Sequence, residues 1–201
     1  QSQAQEHNVA ILQGNAKQGS TRGFYPRVIN GSLRFNDDDS AYLSWTPDSA
    51  GNRKTWTLSM WVKRANIGTN QSLLRANGSG DTGRTDIWFD TNDDLLVAGS
   101  STYFRITDQK FRDVSAWYHL VFEFDTTQAV ANDRLKIYVN GVQVTSFSTN
   151  NAYTQNTDYG VNAVVSHTIG SGYGYLDGYL ADVYFIDGQA LSASDFGETK
   201  N

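Results

Sequence analysis

The segment RLKIYVNGVQVTSF, residues 134–147, divides at Asn140-Gly141. It reads as two strands joined by a type I′ turn, because both central residues of that turn need positive φ and Asn-Gly supplies it at low cost. The same period appears upstream. In TWTLSMWVK, residues 55–63, Trp56, Leu58, Met60 and Val62 fall on one face, opposite Thr57, Ser59, Trp61 and Lys63. In WYHLVFEFD, residues 117–125, Tyr118, Leu120, Phe122 and Phe124 alternate with His119, Val121 and Glu123. Alternation of this kind is the mark of a strand with one face in a core.

Further strands are predicted at GSLRF, AYLSW, SLLRA, TDIWFD, LLVAG, FRITD, SHTIGSG and GYLADVYFID. A helical turn is expected only at SASDF, where Ser192 caps and Asp195 reaches back. Roughly a dozen short strands with frequent turn signals predict an all-β, two-sheet antiparallel sandwich of the jelly-roll kind. With only 2 prolines in the chain, glycine and Asn/Asp must make the turns.

The bulk properties agree with one domain. The chain has 201 residues, 39% of them hydrophobic and 13% aromatic, enough for one core with broad sheet faces. The net charge is −5 and the 16 basic residues are scattered, which argues against nucleic acid as a partner, since phosphate binding needs clustered cations. There are no cysteines, so disulfides and thiolate metal sites are excluded, and a microbial or viral origin is favoured. No apolar run approaches a membrane span, and no insertion is expected. Residues 1–26, rich in Gln, Gly and Ser, are assigned to an N-terminal arm or linker, either a disordered leader or one that docks VAIL on a neighbouring subunit. Residues 27–197 form the domain and 198–201 a terminal stub.

The order LRFNDDDSAYLSW, WTLSMWVKR, WYHLVFEFD, LKIYVNGVQV, YLDGYLADVYFIDGQALSASDFG resembles the laminin-G-like, concanavalin A-like lectin and glucanase superfamily. SLRFNDDDSAYLS, GNRKTW, FRDVSAWYHLVFEFDTTQA and FIDGQALSASDFGET are similar to laminin-G-like domains in virion proteins of marine tailed bacteriophages. The resemblance implies a jelly roll in a fibre, tail or capsid-decorating protein that presents a lectin-like surface to a cell-surface or environmental glycan, assembled in the host cytoplasm with other virion proteins and copies of itself. A free bacterial carbohydrate-binding module and a structural cladding protein without ligand are the alternatives.

Enzymes of that superfamily are similar in carrying Glu-x-Asp-x-x-Glu on one strand, and retaining hydrolysis needs two carboxyls about 5–5.5 Å apart. The glutamates here are Glu6, Glu123 and Glu198, with Glu123 alone on a strand. Asp182 and Asp187 have the outer spacing, but Tyr184 fills the middle; Asp177 and Asp182 have Tyr179 between them. The chain is therefore read as non-enzymatic, with Asp177 and Asp187 as turn residues and Asp182 as a structural carboxylate. Many laminin-G-like domains are similar in binding calcium, which wants several oxygen ligands. That makes Asp37, Asp38, Asp39 and Asp177 candidate calcium ligands, against the alternative of solvated turn formers. For a sugar, which stacks on exposed rings, the candidates are Tyr153, Tyr159 and Asn151 in NNAYTQNTDYG, and Tyr173 and Tyr175 in GSGYGYLDG. The alternative is that these rings pack under their own loops or between subunits.

Overall fold

The computed structural model describes residues 6–7, 10–12 and 31–197. Within them lie β1 (Glu6–His7), β2 (Ala10–Leu12), β3 (Ser32–Phe35), β4 (Tyr42–Trp45), β5 (Thr55–Arg64), β6 (Gln71–Asn77), β7 (Arg84–Phe89) and β8 (Asp94–Ala98). There follow β9 (Tyr103–Lys110), β10 (Tyr118–Asp125), β11 (Leu135–Val139), β12 (Val142–Gln143), β13 (Phe147–Asn150), β14 (His167–Ile169) and β15 (Gly178–Asp187). They form an 8-stranded sheet in the order β1-β4-β14-β6-β7-β8-β9-β13 and a 7-stranded sheet in the order β12-β11-β10-β5-β15-β3-β2. Within the stretch assigned to an arm, β1 and β2 pair with β4 and β3, at the edges of the two sheets. The rest of 1–30, and the stub 198–201, lie outside the described residues.

The core fills the space between the sheets. Trp56, Leu58, Met60 and Val62 of β5 and Leu120, Phe122 and Phe124 of β10 meet Leu74, Ile87, Phe89, Leu95 and Val97 of the facing sheet. Alternation therefore placed these side chains correctly. It did not account for Thr57, Ser59, His119 and Val121, which are buried on the other face of the same strands. The cause is the segment after β15, which folds back over that face: Thr57 Oγ1 donates to the Gln189 carbonyl at 2.7 Å and accepts from Leu191 N at 2.8 Å. A 3₁₀ turn at Ala193–Asp195 ends it, with Ser192 N donating to Asp195 Oδ2 at 2.8 Å.

Asn140 and Gly141 take φ of 51° and 85°, as the hairpin requires. Its second strand is shorter than the sequence suggested. β12 stops after Gln143, and the chain crosses so that β13 pairs with β9 in the other sheet. Val144 and Phe147 both pack against the core, and a spacing of three is incompatible with one face of one strand.

β15 holds a second departure from strict alternation. Ala181 pairs with Trp61 and Tyr184 with Ser59, so Asp182 and Val183 together oppose Met60. This is a β-bulge, and Asp182 sits at its left-handed position with φ of 43°. The bulge shifts the inward set from Leu180 to Val183, both of which face the core. Asp182 is thus a bulge former. The flanking Asp177 pairs with Arg34 at 2.5 Å, and Asp187 Oδ1 accepts from Asn52 N and Asn162 Nδ2, each at 2.8 Å.

Candidate functional site

Because Ile87 and Phe89 of β7 enter the core, period two sends Asp86 and Trp88 to the outer face of the eight-stranded sheet. The register puts Ser72 and Leu96 on either side of Trp88, and Arg75 and Ala98 on either side of Asp86. Trp88, Leu96 and Ala98, with Ile106, make a small apolar cluster separate from the main core. Rings cover it. Tyr173 lies 4.7 Å from Trp88 between ring centroids, tilted by 40°, and Tyr103 lies 6.1 Å away, tilted by 46°. Tyr173 and Tyr103 are 43% and 49% exposed, so both offer ring surface to solvent while Trp88 is the floor between them.

Two loops hold the tyrosines. Residues 170–176 lie flat across β6: Tyr173 N donates to Ser72 Oγ at 2.9 Å, and Thr168 Oγ1 donates to the Ser171 carbonyl at 2.6 Å. Contact this close needs glycine, since a Cβ at Gly172 would stand 2.5 Å from Ser72 Oγ and one at Gly174 2.1 Å from the Asn70 carbonyl. Tyr175, on the same loop, is half-exposed beside Tyr42 at 6.3 Å. Tyr103 follows residues 99–102, which Asp81 fastens. Its Oδ1 accepts from Ser101 N at 2.6 Å and Thr102 N at 3.1 Å, and its Oδ2 from Ser101 Oγ at 3.0 Å and Thr102 Oγ1 at 2.7 Å. The Ser101 backbone bond, followed by the Thr102 hydroxyl, holds the Asp81 carboxyl down at about 2.

Charge is concentrated under Tyr173. Asp86 is buried and receives Arg75 Nε on one oxygen and Arg84 Nε on the other, the latter at 2.6 Å. Both guanidinium carbons lie over the Tyr173 ring, at 4.8 and 5.1 Å from its centroid.

Of the ring candidates drawn from the sequence, Tyr173 and Tyr175 occupy this face. Tyr153 and Tyr159 do not: they are 1% and 4% exposed. Tyr153 stacks on Phe104 at 3.8 Å and meets Tyr159 edge-on at 4.6 Å. The expectation that they stack on a sugar is corrected, because both rings are covered by the core they help to build. Asn151 is exposed, but its Nδ2 donates to the Tyr103 carbonyl at 2.9 Å and its own carbonyl accepts from Arg105 at 2.5 Å.

The four candidate calcium ligands do not converge. Asp39 accepts from Asn36 Nδ2 at 2.7 Å, Asp37 from Asn66 Nδ2 at 3.4 Å and from Asp38 N at 3.1 Å. Asp177 is engaged by Arg34. Among the described residues no three acidic or histidine side chains gather at one point. Glu123 accepts from Lys136 Nζ at 3.0 Å and the Tyr138 hydroxyl at 2.7 Å.

Sequence reading missed Trp88, Tyr103, Arg75, Arg84 and Asp86. The available signal was in RTDIWF, where an acid and a tryptophan share the face opposite Ile87 and Phe89. What brings arginines and tyrosines onto that pair is cross-strand register and loop placement, which local sequence does not carry.

A family model described as the concanavalin A-like lectin/glucanases superfamily matches residues 37–195. No curated protein matches the chain in sequence. Among solved structures, domain 4 of an extracellular arabinanase from Geobacillus stearothermophilus, in complex with arabinotriose, aligns with a TM-score of 0.59 at 16% identity, over 95% of this chain and 82% of that one. A Trypanosoma rangeli sialidase in complex with sialic acid gives 0.56 at 16%, over 82% of this chain but 26% of the sialidase. A heptameric pentraxin from Limulus polyphemus gives 0.53 at 16%, over 77% and 73%. At these identities the likeness is one of fold.

Proposed function

Because the chain belongs to the concanavalin A-like lectin/glucanases superfamily, we propose that it is a non-enzymatic glycan-recognition module carried on the virion of a tailed bacteriophage. The observation that supports recognition is the outer face of the eight-stranded sheet, where Tyr173 and Tyr103 present half-exposed rings above a buried Trp88. Apolar ring faces bordered by charged hydrogen-bonding groups suit a pyranose, which is apolar on its faces and polar at its rim. The buried acid of the site, Asp86, is held by two arginines, and the neighbouring Asp81 is taken up by Ser101 and Thr102, an arrangement unlike the paired carboxyls of retaining hydrolysis.

The virion assignment rests on the wording of segments such as SLRFNDDDSAYLS and FIDGQALSASDFGET. In that setting the sandwich is the rigid frame, its outer face meets a cell-surface or environmental glycan, and other virion proteins and further copies of the chain are the assembly partners. A free bacterial carbohydrate-binding module is the second reading, favoured by the likeness to an arabinanase domain solved with arabinotriose.

The test is affinity for a glycan array and for soluble polysaccharides, compared between the wild type and Tyr173→Ala. Loss of the ring is expected to weaken the best ligand about tenfold, the equivalent of about 1.4 kcal/mol. Unchanged affinity removes the site.

A further inference from the structure

Resting on that reading, we propose that the glycan bound at this face is acidic, with a uronate-type carboxylate taken by Arg84. Three charged side chains lie beneath Tyr173, two guanidiniums against the single carboxylate of Asp86. The cluster therefore keeps one positive charge in excess. Both guanidiniums meet the Tyr173 ring, but Arg75 is the more enclosed member, its Nη2 buried without a hydrogen-bond partner. Arg84 is the available one. Its Nε is given to Asp86, and neither terminal nitrogen has a hydrogen-bond partner among the described residues or belongs to the buried unpaired atoms. Two parallel N–H groups at the rim of an aromatic face match the two oxygens of a carboxylate.

Two features oppose an anion here, and both are weaker. The chain as a whole carries −5, but exposed charges beyond about 8 Å are screened at physiological salt, so the nearest groups decide. Asp81 adjoins the Tyr103 side, yet its oxygens are taken up by donors from Ser101 and Thr102.

The experiment is titration of the full chain with acidic polysaccharides (alginate, polygalacturonate and hyaluronan) and neutral ones (dextran, xylan and galactan), in low and in physiological salt. Wild type, Arg84→Gln and Arg84→Lys are compared, each checked by thermal melting. Expected is binding to at least one acidic member that weakens with salt and falls about tenfold or more in Arg84→Gln. Arg84→Lys, which keeps the charge without the planar fork, recovers part of it and decides the matter if the Gln variant folds poorly. Binding to neutral members alone, or affinity indifferent to both substitutions, overturns the acidic ligand while leaving glycan recognition standing. Silence across the whole panel overturns both.

Discussion

Asp182 and Asp93 are both non-glycine residues at positive φ, 43° and 66°, and they depend on their surroundings in different ways. At Asp182 the requirement is backbone shape. Asp182→Val, β-branched in a left-handed position, is expected to be about 1–3 kcal/mol less stable than Asp182→Gly, which accepts that φ. Urea denaturation of the two variants separates them, and equal midpoints would mean that the bulge does not need this conformation. At Asp93 the requirement is charge. Arg64 is buried within the sandwich, 3.0 Å from Asp93, donates to the Phe111 carbonyl at 2.7 Å and lies over the Phe89 ring. Burial pulls the Arg64 pKa below its ordinary value. Asp93→Ala leaves that cation uncompensated and should cost about 3–5 kcal/mol by the same measurement.

The segment after β15 and the loops around the binding face are elements whose weakness is readable in pH. His119, beneath Phe196 and sharing a 2.8 Å hydrogen bond with Ser59, is driven down to about 4 by desolvation. Its folded pKa lies below the unfolded value of 6.5. The unfolded chain therefore takes up the proton first, and stability present above pH 6.5 drains away as pH falls towards 4. The loss from this residue is roughly 2–3 kcal/mol, and His167, lowered by burial as well, adds to it. A His119→Gln variant should flatten the melting temperature across that window. Asp81 loses its contribution in the same direction, at lower pH. Lowered from 3.8 to about 2, it supports the 99–102 loop fully above pH 3.8, and that support drains away as pH falls towards 2. Asp81→Asn should speed amide exchange at residues 99–103 with little change in global melting, and unaltered exchange would show that the latch does not hold the loop.

At the scale of the whole molecule, what the sequence disclosed and what it withheld follow one physical division. Strand identity is local: Trp56 to Val62 and Tyr118 to Phe124 announce their inward faces through period two, and all are in the core. Asn140-Gly141 announces its turn through φ. What lies on the outside of a sheet depends on which segment folds over it, and that is set at long range. The 170–176 loop reaches β6 from about a hundred residues away, so Tyr173 was recognisable as a loop ring but its place on Trp88 was not. Tyr153 and Tyr159 carried the same local signal and went inward, because Phe104 and Phe124 were there to receive them. A polar loop containing tyrosines does not declare which way its rings turn.

Hydrogen–deuterium exchange with and without the tightest-binding glycan tests the placement of the site most directly. Protection is predicted at residues 84–88, 96–103 and 170–175, the strands and loops that carry Arg84, Trp88, Tyr103 and Tyr173. Protection confined to residues 36–40 or 150–160, with the outer face of the eight-stranded sheet unchanged, would contradict it.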